Sequence, residues 1–249
     1  MRQLGIAAFV CAAAMSGQPA ALPSGASLFD KFVTVTGGRA AYAKRTSEVS
    51  TGTIQMAAAG VSGTLEIYSA APNARMAMMD VQGIGKVEEG TNGVDAWEVS
   101  AVMGPKLKDG KEKAQAIREA MFNMPIYWRK LYTKVQTMGI ETVEGVECYR
   151  VVATPNDGSK PETYWFEKAT GYNLKVSRTV LAMGSEIPAE IVMKDYRKSG
   201  LVMQPMTMIQ RVGGQEVILR LTNVVANAPI PKSKFAPPPD IQQLMKKAA

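Results

Sequence analysis

The sequence predicts a mainly β protein with a single, strongly curved antiparallel sheet of about eleven strands. Three observations favour this class. Apolar residues alternate with polar ones over most of residues 48–226, which is the period of a strand. Short glycine-containing turns separate the alternating runs, as in Thr91-Asn92-Gly93-Val94. Helical spacing is confined to a few segments. The strands are expected to form a half-open barrel with helices covering its hollow side.

Two short helices are predicted ahead of the first strand. Residues 27–35 open on a Ser-x-x-Asp capping pattern, and their apolar residues recur at helical spacing. The pair Gly37-Gly38 predicts the end of this helix, because glycine readily takes the left-handed conformation found there. Residues 39–45 can form a second short helix.

Strand periodicity then dominates the chain, with one interruption. Before it, the predicted strands are 48–58, 61–69, 75–81, 85–89 and 94–100. After it, a strand begins at about Lys134, and the others are 146–154, 162–168, 172–181, 189–196, 204–212 and 216–226. A proline-rich stretch and a short basic helix, 241–247, end the chain. Because neither a linker nor a repeat divides the chain, one domain is predicted over residues 22–249.

The interruption is the segment "DGKEKAQAIREAMFNMPIYWRKLY". Its apolar residues recur at intervals of three and four, which predicts an amphipathic helix: Ala114, Ile117, Met121 and Met124. The charged residues between them are expected to face water: Lys113, Arg118 and Glu119. This helix is the predicted cover of the hollow sheet.

One predicted hairpin carries apolar residues on both faces of a strand. In "ETYWFEKATGYNLKVSRT", Tyr164, Trp165 and Phe166 stand in a row, and Gly171 closes the turn. A sheet with one solvated face would show a cleaner alternation of apolar and polar residues. Both faces of this strand must therefore be covered, which favours a curved sheet with helices on its hollow side.

The composition excludes several classes of function. The chain of 249 residues has no histidine, so Ser-His-Asp and Cys-His catalysis and histidine metal sites are excluded. The formal net charge is +7, but the sequence has no basic stripe interleaved with aromatic residues, as single-strand nucleic-acid binding would require. Gly83-x-Gly85 lacks the third glycine of a dinucleotide-binding motif, and the carboxylates cluster in predicted turns. The sequence therefore predicts a protein that is not an enzyme, with no cofactor, metal or nucleic-acid partner.

The first 21 residues have the pattern of a cleaved secretory signal peptide. Arg2 supplies the positive charge, and residues 4–15 form an apolar stretch too short to span a membrane. Cleavage is expected after Ala20 or Ala21. Cys11 lies inside the apolar stretch, so lipid attachment to it is not expected. The mature protein is predicted to be soluble, monomeric and periplasmic.

Cys148 is the one cysteine that remains after this cleavage. It lies in a predicted strand and has no partner for an internal disulfide bond. We expect a buried structural thiol.

The methionines indicate a hydrophobic cavity. Met76 and Met78 would share one face of a strand, as would Met206 and Met208. Flexible, polarizable methionine suits sites that adapt to apolar ligands. For any one of them an ordinary core residue is the preferred explanation, and only their density favours a cavity. With residues of the middle helix and the tryptophans, the predicted lining is Met76, Met78, Trp97, Ile117, Met121, Met124, Trp128, Trp165, Met206 and Met208.

Four segments resemble the LolA/LolB superfamily of lipoprotein carriers. They are the hairpin "TYWFEKATGYNLKV", the strand pair "GTNGVDAWEV", the end "VVANAPIPKSKFAPPPDI" and the opening "FDKFVTVTGGRAAYAKRTSEVSTGTIQM". The last of these resembles outer-membrane lipoprotein-sorting-like relatives. The resemblance covers roughly residues 28–240. It implies a half-open barrel of about eleven strands with a helical lid over a hydrophobic cavity that holds acyl chains.

One position departs from the pattern of this family. The carrier of this family has an arginine directly before the proline at an Arg-Pro-Asn strand start. The resemblance implies that this arginine holds the lid. Here the stretch reads Ala70-Ala71-Pro72-Asn73, so Ala71 takes that place, and Arg75 lies four residues out of register. The departure weighs against a true lipoprotein-shuttling role.

These observations predict a periplasmic binding or carrier protein for lipid-modified or other apolar ligands, held non-covalently, in outer-membrane lipoprotein or lipid sorting. The expected partners are acyl chains of lipoproteins or lipids, with an envelope transporter or an outer-membrane acceptor. The alternative is a non-enzymatic envelope interaction or regulatory domain with the same fold and no cavity. The presence of a cavity distinguishes the two.

Overall fold

The computed structural model describes residues 21–182 and 184–248. Cys11 and the predicted signal peptide up to Ala20 lie outside these residues. The α-helices are α1 (Gly25–Val35), α2 (Arg39–Ala43), α3 (Gly110–Glu119), α4 (Trp128–Leu131) and α5 (Pro239–Ala248). The strands are β1 (Ser47–Met56), β2 (Val61–Ala70), β3 (Ala74–Val81), β4 (Gly85–Thr91), β5 (Ala96–Ser100), β6 (Gly104–Leu107), β7 (Tyr132–Val143), β8 (Val146–Pro155), β9 (Glu162–Glu167), β10 (Asn173–Ala182), β11 (Ser185–Ser199), β12 (Val202–Val212) and β13 (Gln215–Ala226). Short 3₁₀ turns occupy Ala57–Ala59, Met124–Tyr127 and Lys232–Phe235.

All of these strands belong to one antiparallel sheet. Its order is β6-β5-β4-β3-β2-β1-β13-β12-β11-β10-β9-β8-β7. Neighbours in sequence are neighbours in the sheet, except that α3 and α4 separate β6 from β7 and that the last strand returns to pair with the first. In the ladder of β1 and β13, Ile54 lies opposite Leu219. Because β6 and β7 each have one paired side in this order, the sheet is open.

The described residues form thirteen strands, so the prediction of about eleven was too low. The strand with no counterpart in the prediction is β6, whose four residues read Gly-Pro-Lys-Leu. Such a short run shows no alternation, and proline is tolerated at an edge strand because its missing N–H leaves no ladder bond unmade there. Pairing with β5 along Trp97 to Ser100 makes this segment a strand. Sequence periodicity carries no signal for that.

The boundaries of the helices also differ from prediction, and for α1 and α3 the contacts that set them are clear. The N-cap of α1 is Ser24, whose side-chain oxygen accepts a hydrogen bond from the Ser27 amide at 3.1 Å. The helix therefore begins three residues earlier than the Ser-x-x-Asp pattern indicates. The helix α3 ends at Glu119, before Met124, because the Phe122 amide donates to the Pro72 carbonyl at 2.9 Å and Asn123 takes a left-handed conformation with φ 58°.

The aromatic strand β9 is covered on both faces, as the hairpin sequence predicts. On one face Tyr164 and Phe166 pack against Phe29 of α1, with ring centroids 5.1 Å apart in each case. On the other face Trp165 packs with Cys148 in a separate cluster. Cys148 is fully buried, as expected for a structural thiol.

The strand β3 also presents two different faces. Met76 lies in a cluster with Trp97 and Ile241, the latter on α5. Met79 belongs to a second cluster that includes Leu65. The C-terminal helix therefore covers the face of this half of the sheet that carries Met76, and Met79 lies on the opposite face.

The helix α3 contacts strands that are distant from one another in the sheet. It packs against both β5 and β10, and seven strands lie between these two in the sheet order. No helix in the described part of the chain is long and apolar enough to cross a membrane.

Candidate ligand cavity

A cavity of about 410 Å³ lies between one face of the sheet and α3. We refer to it as the main cavity. Its wall includes residues of β1 to β4, β10, β12 and β13, and α3 with its C-cap contributes Ala116, Glu119 and Ala120. The volume falls within the range of roughly 300–1,000 Å³ that is usual for small-molecule sites.

Most of the main-cavity wall is apolar. Ile54 lies opposite Leu219 in the ladder of β1 and β13, and Leu65 lies opposite Met79 in the ladder of β2 and β3. Residues that lie opposite each other in a ladder point to the same face of a sheet. The register therefore places apolar side chains of four strands on one continuous surface.

The end of the main cavity near α3 is charged. Its lining includes Arg75 on β3, Glu89 on β4, Glu119 on α3 and Arg178 on β10. The Arg178 Nη2 atom lies 3.0 Å from Glu119 Oε2, and the Lys108 Nζ atom lies 2.5 Å from Glu89 Oε1. An apolar wall with a charged end is suited to an amphiphilic ligand.

The two carboxyl groups at this end have opposite pKa shifts. Burial raises the pKa of Glu119, and the charges of Arg178 and Arg118 offset this only in part. Burial also acts to raise the pKa of Glu89, but the charges of Lys108 and then Arg75 outweigh it, so the pKa of Glu89 is lowered. Glu119 is therefore the carboxyl group that takes up a proton more readily.

A buried side chain, Gln115, joins α3 to the backbone of β10. The Nε2 atom of Gln115 donates to the Thr179 carbonyl at 2.7 Å, and its Oε1 atom accepts from the Leu181 amide at 3.0 Å. The β9 strand pairs with β10 only as far as Ser177. Gln115 thus replaces the missing strand and satisfies backbone groups that would otherwise be unpaired.

A buried charge network fastens α3 further. The Arg118 Nε atom donates to Asp157 Oδ2 at 2.6 Å, and its Nη2 atom lies 2.8 Å from Glu162 Oε1. The other oxygen of Glu162 accepts from the Tyr132 and Tyr164 hydroxyls at 2.7 and 2.8 Å. Burial is the main cause that raises the pKa of both tyrosines, and the negative charge of Glu162 adds to it. In this network the two tyrosine hydroxyls therefore stay protonated and neutral, and Arg118 stays positively charged.

The orientation of α3 corrects the prediction from its periodicity. Arg118 is buried and Glu119 is half-buried rather than facing water, and Gln115 is buried as well. The reason is that β10 and the network around Glu162 present polar groups to the helix. These groups require polar partners inside the protein. Ile117 is half-buried and does not line the main cavity.

The segment after α3 is held by Arg45. Its Nη1 atom donates to Asn123 Oδ1 at 3.2 Å. The side-chain Nδ2 atom of Asn123 donates to the backbone carbonyls of Tyr42 and Arg45 at 2.8 and 3.0 Å. The same guanidinium forms an ion pair with Glu48 at 2.5 Å and lies 5.0 Å from the ring centre of Phe122. This segment is therefore fixed to the start of β1.

A second cavity, also of about 410 Å³, adjoins the main cavity. We refer to it as the second cavity. The two share Arg75, Glu119 and Ala120. The charged end of the main cavity is thus the boundary between them.

The ten predicted lining residues are divided among several places. Met121, Met124 and Met208 line the second cavity. Met76, Met78 and Trp97 pack with α5 on the opposite face of the sheet, and Trp128 and Trp165 lie in two further clusters. Ile117 and Met206 are half-buried and line neither cavity. On β3 the residues that line the main cavity are those of the other face of the strand: Arg75, Ala77 and Met79 in place of Met76 and Met78.

The charged residues of the main cavity are absent from the predicted lining. Arg75 and Arg178 each lie on a strand at a position that alternation assigns to the same face as apolar residues. A charge at an inward position of a strand is the signal that could have indicated them. Among the described residues, no group of three or more acidic, cysteine or histidine side chains is placed to hold a metal ion.

The fold is found in solved structures. A DUF1329 family protein from Desulfovibrio piger is 13% identical with a TM-score of 0.57, over 85% of this chain and 97% of that one. A LolA superfamily protein from Nitrosomonas europaea is 14% identical with a TM-score of 0.57, over 87% and 99%. An outer membrane lipoprotein-sorting protein domain from Vibrio parahaemolyticus is 12% identical with a TM-score of 0.56, over 89% and 98%.

No family model matches the sequence, and a search of curated proteins finds no match. At 12–14% identity the likeness to solved structures establishes the fold. The resemblance to the LolA/LolB superfamily is confirmed at that level.

Proposed function

We propose that this protein is a binding or carrier protein that holds the apolar part of a ligand in the main cavity, without covalent chemistry. The observation that carries the proposal is the cavity itself, which is apolar over four strands and covered by α3. A close-packed core would leave few voids larger than a water molecule. The apolar surface of a hollow of this size is instead available to a ligand.

The proposal includes a sheet that bends into a half-open barrel. Neighbouring strands lie about 4.8 Å apart, so the eight steps from β5 to β10 would span roughly 38 Å in a flat sheet. The helix α3 has 10 residues and is therefore about 15 Å long, yet it contacts both strands. A bent sheet, with α3 across its hollow side, accounts for both contacts.

The ligand that we propose is an acyl chain of a lipid or of a lipid-modified protein. The apolar wall matches an alkyl chain. One solved structure of the same fold is that of an outer membrane lipoprotein-sorting protein domain. Together with the signal-peptide pattern of the first 21 residues, this supports the proposal of a periplasmic location. N-terminal sequencing of protein from fractionated cells tests the location, and a chain that retains Met1 would contradict it.

The cavity is tested by filling it. Ala116 lines the main cavity from α3, and Ala114 on the same helix is exposed. The variant Ala116→Phe should lose most binding of the neutral apolar probe N-phenyl-1-naphthylamine, followed by its fluorescence, because the added ring occupies the hollow. Its melting temperature should change little, since a hollow accepts bulk that a packed core does not.

The matched control is Ala114→Phe, which adds the same ring on the water-facing side of α3. It should bind the probe as the wild type does. If the wild type binds no probe, or if Ala116→Phe melts several degrees lower with no effect on binding, the space is ordinary packing. The alternative of an interaction domain with no ligand cavity would then be preferred.

A further inference from the structure

The charged residues that line the two cavities are three arginines and three glutamates, but one of the arginines forms no ion pair. In the main cavity Glu119 pairs with Arg178, and Glu89 pairs with Lys108 from outside the lining. This leaves Arg75 as the lining cation that forms neither a hydrogen bond nor an ion pair with any part of the chain that the structure describes.

The second cavity leads to the same residue. Its charged lining residues are Arg45, Glu48, Arg75 and Glu119. Arg45 and Glu48 form an ion pair at 2.5 Å, and Glu119 is already bound to Arg178. From either side of the boundary, Arg75 is therefore the charged group that forms no ion pair within residues 21–182 and 184–248, although its charge acts on Glu89 at longer range.

An unpaired guanidinium beside an apolar wall carries a desolvation cost. Partly buried charges are usually paired, because removal from water is unfavourable without compensating contacts. Arg75 is half-buried, and the main-cavity face of its own strand also carries the apolar residues Ala77 and Met79. An anion brought by a ligand would supply the missing contacts, and guanidinium matches the geometry of carboxylate and phosphate oxygens.

We propose that Arg75 binds the anionic head group of the ligand, so that the ligand class is an apolar chain that ends in a carboxylate or phosphate. This inference rests on the proposed function, because it assumes that the main cavity holds the chain. The head then lies at the boundary of the two cavities, against Arg75, and the chain extends along Ile54, Leu65 and Leu219.

The arrangement also fits the neighbouring groups. The Arg178 guanidinium is neutralised by Glu119, and Glu89 by Lys108, so the anion meets no unbalanced negative charge among the charged residues that line the main cavity. The Nε atom of Arg178 is buried and has no hydrogen-bond partner among the described residues. It can become a second donor to the head group when the side chain shifts.

The test compares three ligands with the same twelve-carbon chain: dodecanoate, dodecyl phosphate and dodecanol. Each is used to displace N-phenyl-1-naphthylamine from the full-length protein. On the wild type both anions should bind about tenfold or more tightly than dodecanol, the effect of a charge-assisted hydrogen bond. The tighter of the two anions identifies the head group as carboxylate or phosphate.

The variant Arg75→Met should lose this preference, so that all three ligands bind with the affinity of dodecanol. Arg75→Lys should keep part of it, since the charge remains but the planar fork is lost. The control is Arg197→Met, which removes an exposed arginine outside both cavities and should keep the full preference. Because Arg75 forms no ion pair or hydrogen bond with the described residues and acts on Glu89 only at longer range, Arg75→Met should melt close to the temperature of the wild type.

Each failure has its own signature. If the wild type does not bind the naphthylamine probe, the proposed function fails and this inference falls with it. If the probe binds but dodecanol competes as well as the anions, the cavity exists and the head-group site at Arg75 does not. An anion preference that survives in Arg75→Met overturns the assignment to Arg75, and a large drop in its melting temperature assigns Arg75 a structural role.

Discussion

The side chain of Gln115 on α3 donates a hydrogen bond of 2.7 Å to the backbone carbonyl of Thr179 on β10. Its oxygen accepts from the Leu181 amide, so one glutamine makes both bonds that a neighbouring strand would make there. The attachment of α3 over the main cavity thus depends on the place where β9 stops pairing with β10, at Ser177.

We expect Gln115→Met to lower the free energy of unfolding by about 1–3 kcal/mol, since it leaves two buried backbone groups unpaired. Hydrogen exchange at the Leu181 amide should become faster. The control Gln243→Met changes an exposed residue of α5 and should stay within about 0.5 kcal/mol of the wild type. Unchanged stability and exchange in Gln115→Met would show that α3 is held by other contacts.

Removal of Arg118 should be among the most destabilising substitutions. Its side chain is 4% exposed, and Arg118→Met leaves the buried Glu162 carboxylate without its cation. We expect a loss of about 3–5 kcal/mol, as for a broken buried ion pair. The comparison is Arg129→Met, which breaks an ion pair with Asp30 whose side chains are 55% and 46% exposed, and should cost no more than about 1 kcal/mol. Urea denaturation of both variants measures the difference, and equal losses would contradict the network.

The pKa of Glu119 predicts a specific dependence of stability on pH. Burial raises this pKa above the usual 4.5, so the folded protein binds the proton more tightly than the unfolded chain does. The contribution of Glu119 to the free energy of unfolding is therefore largest below pH 4.5 and falls as the pH rises through the folded pKa. The difference between the wild type and Glu119→Gln should decrease as the pH rises from 4.5 through the folded pKa.

Asp157 should show the opposite sign. Burial acts to raise its pKa, but hydrogen bonds from Ser159 and the charge of Arg118 lower it below the usual 3.8. Its stabilising contribution is present above pH 3.8 and is lost as the pH falls through the folded pKa. Relative to Asp157→Asn, the wild type should lose stability only in acid. Parallel pH profiles for Asp157→Asn and Glu119→Gln would refute both assignments.

Cys148 should be inert in the folded protein. It is fully buried, and burial raises the pKa of its thiol to about 11, so little thiolate exists at pH 8. Mass spectrometry of the peptide that contains Cys148 should find alkylation by iodoacetamide only at the rate of unfolding, or in denaturant. Rapid labelling without denaturant would place this strand in a looser part of the sheet.

Much of the fold follows from local pattern. Alternation in β1 to β5 and β7 to β13 marks these strands, and turns such as Asn92-Gly93 separate them, because side-chain period and turn geometry are local properties of the chain. The strand β6 is an exception. Its pairing with β5 is a contact between segments, and its own four residues do not encode it.

The candidate cavity was less predictable, because the side of a strand that faces a hollow is decided by what covers each face. The sequence placed Met76 and Met78 on one face of β3, and that much is right. Only the packing of α5 against Met76 decides that this face is filled, and that Arg75, Ala77 and Met79 line the main cavity.

The sequence by itself therefore determined the class of the fold, the position of most strands and the two apolar faces of β9. The tertiary structure decided which face of β3 is hollow and which face of α3 is buried. The physical reason is that periodicity reports only which residues share a face. The partner of that face is chosen by packing and by the pairing of buried polar groups. Arg118 and Gln115 are buried on α3 because Glu162 and the β10 backbone require them.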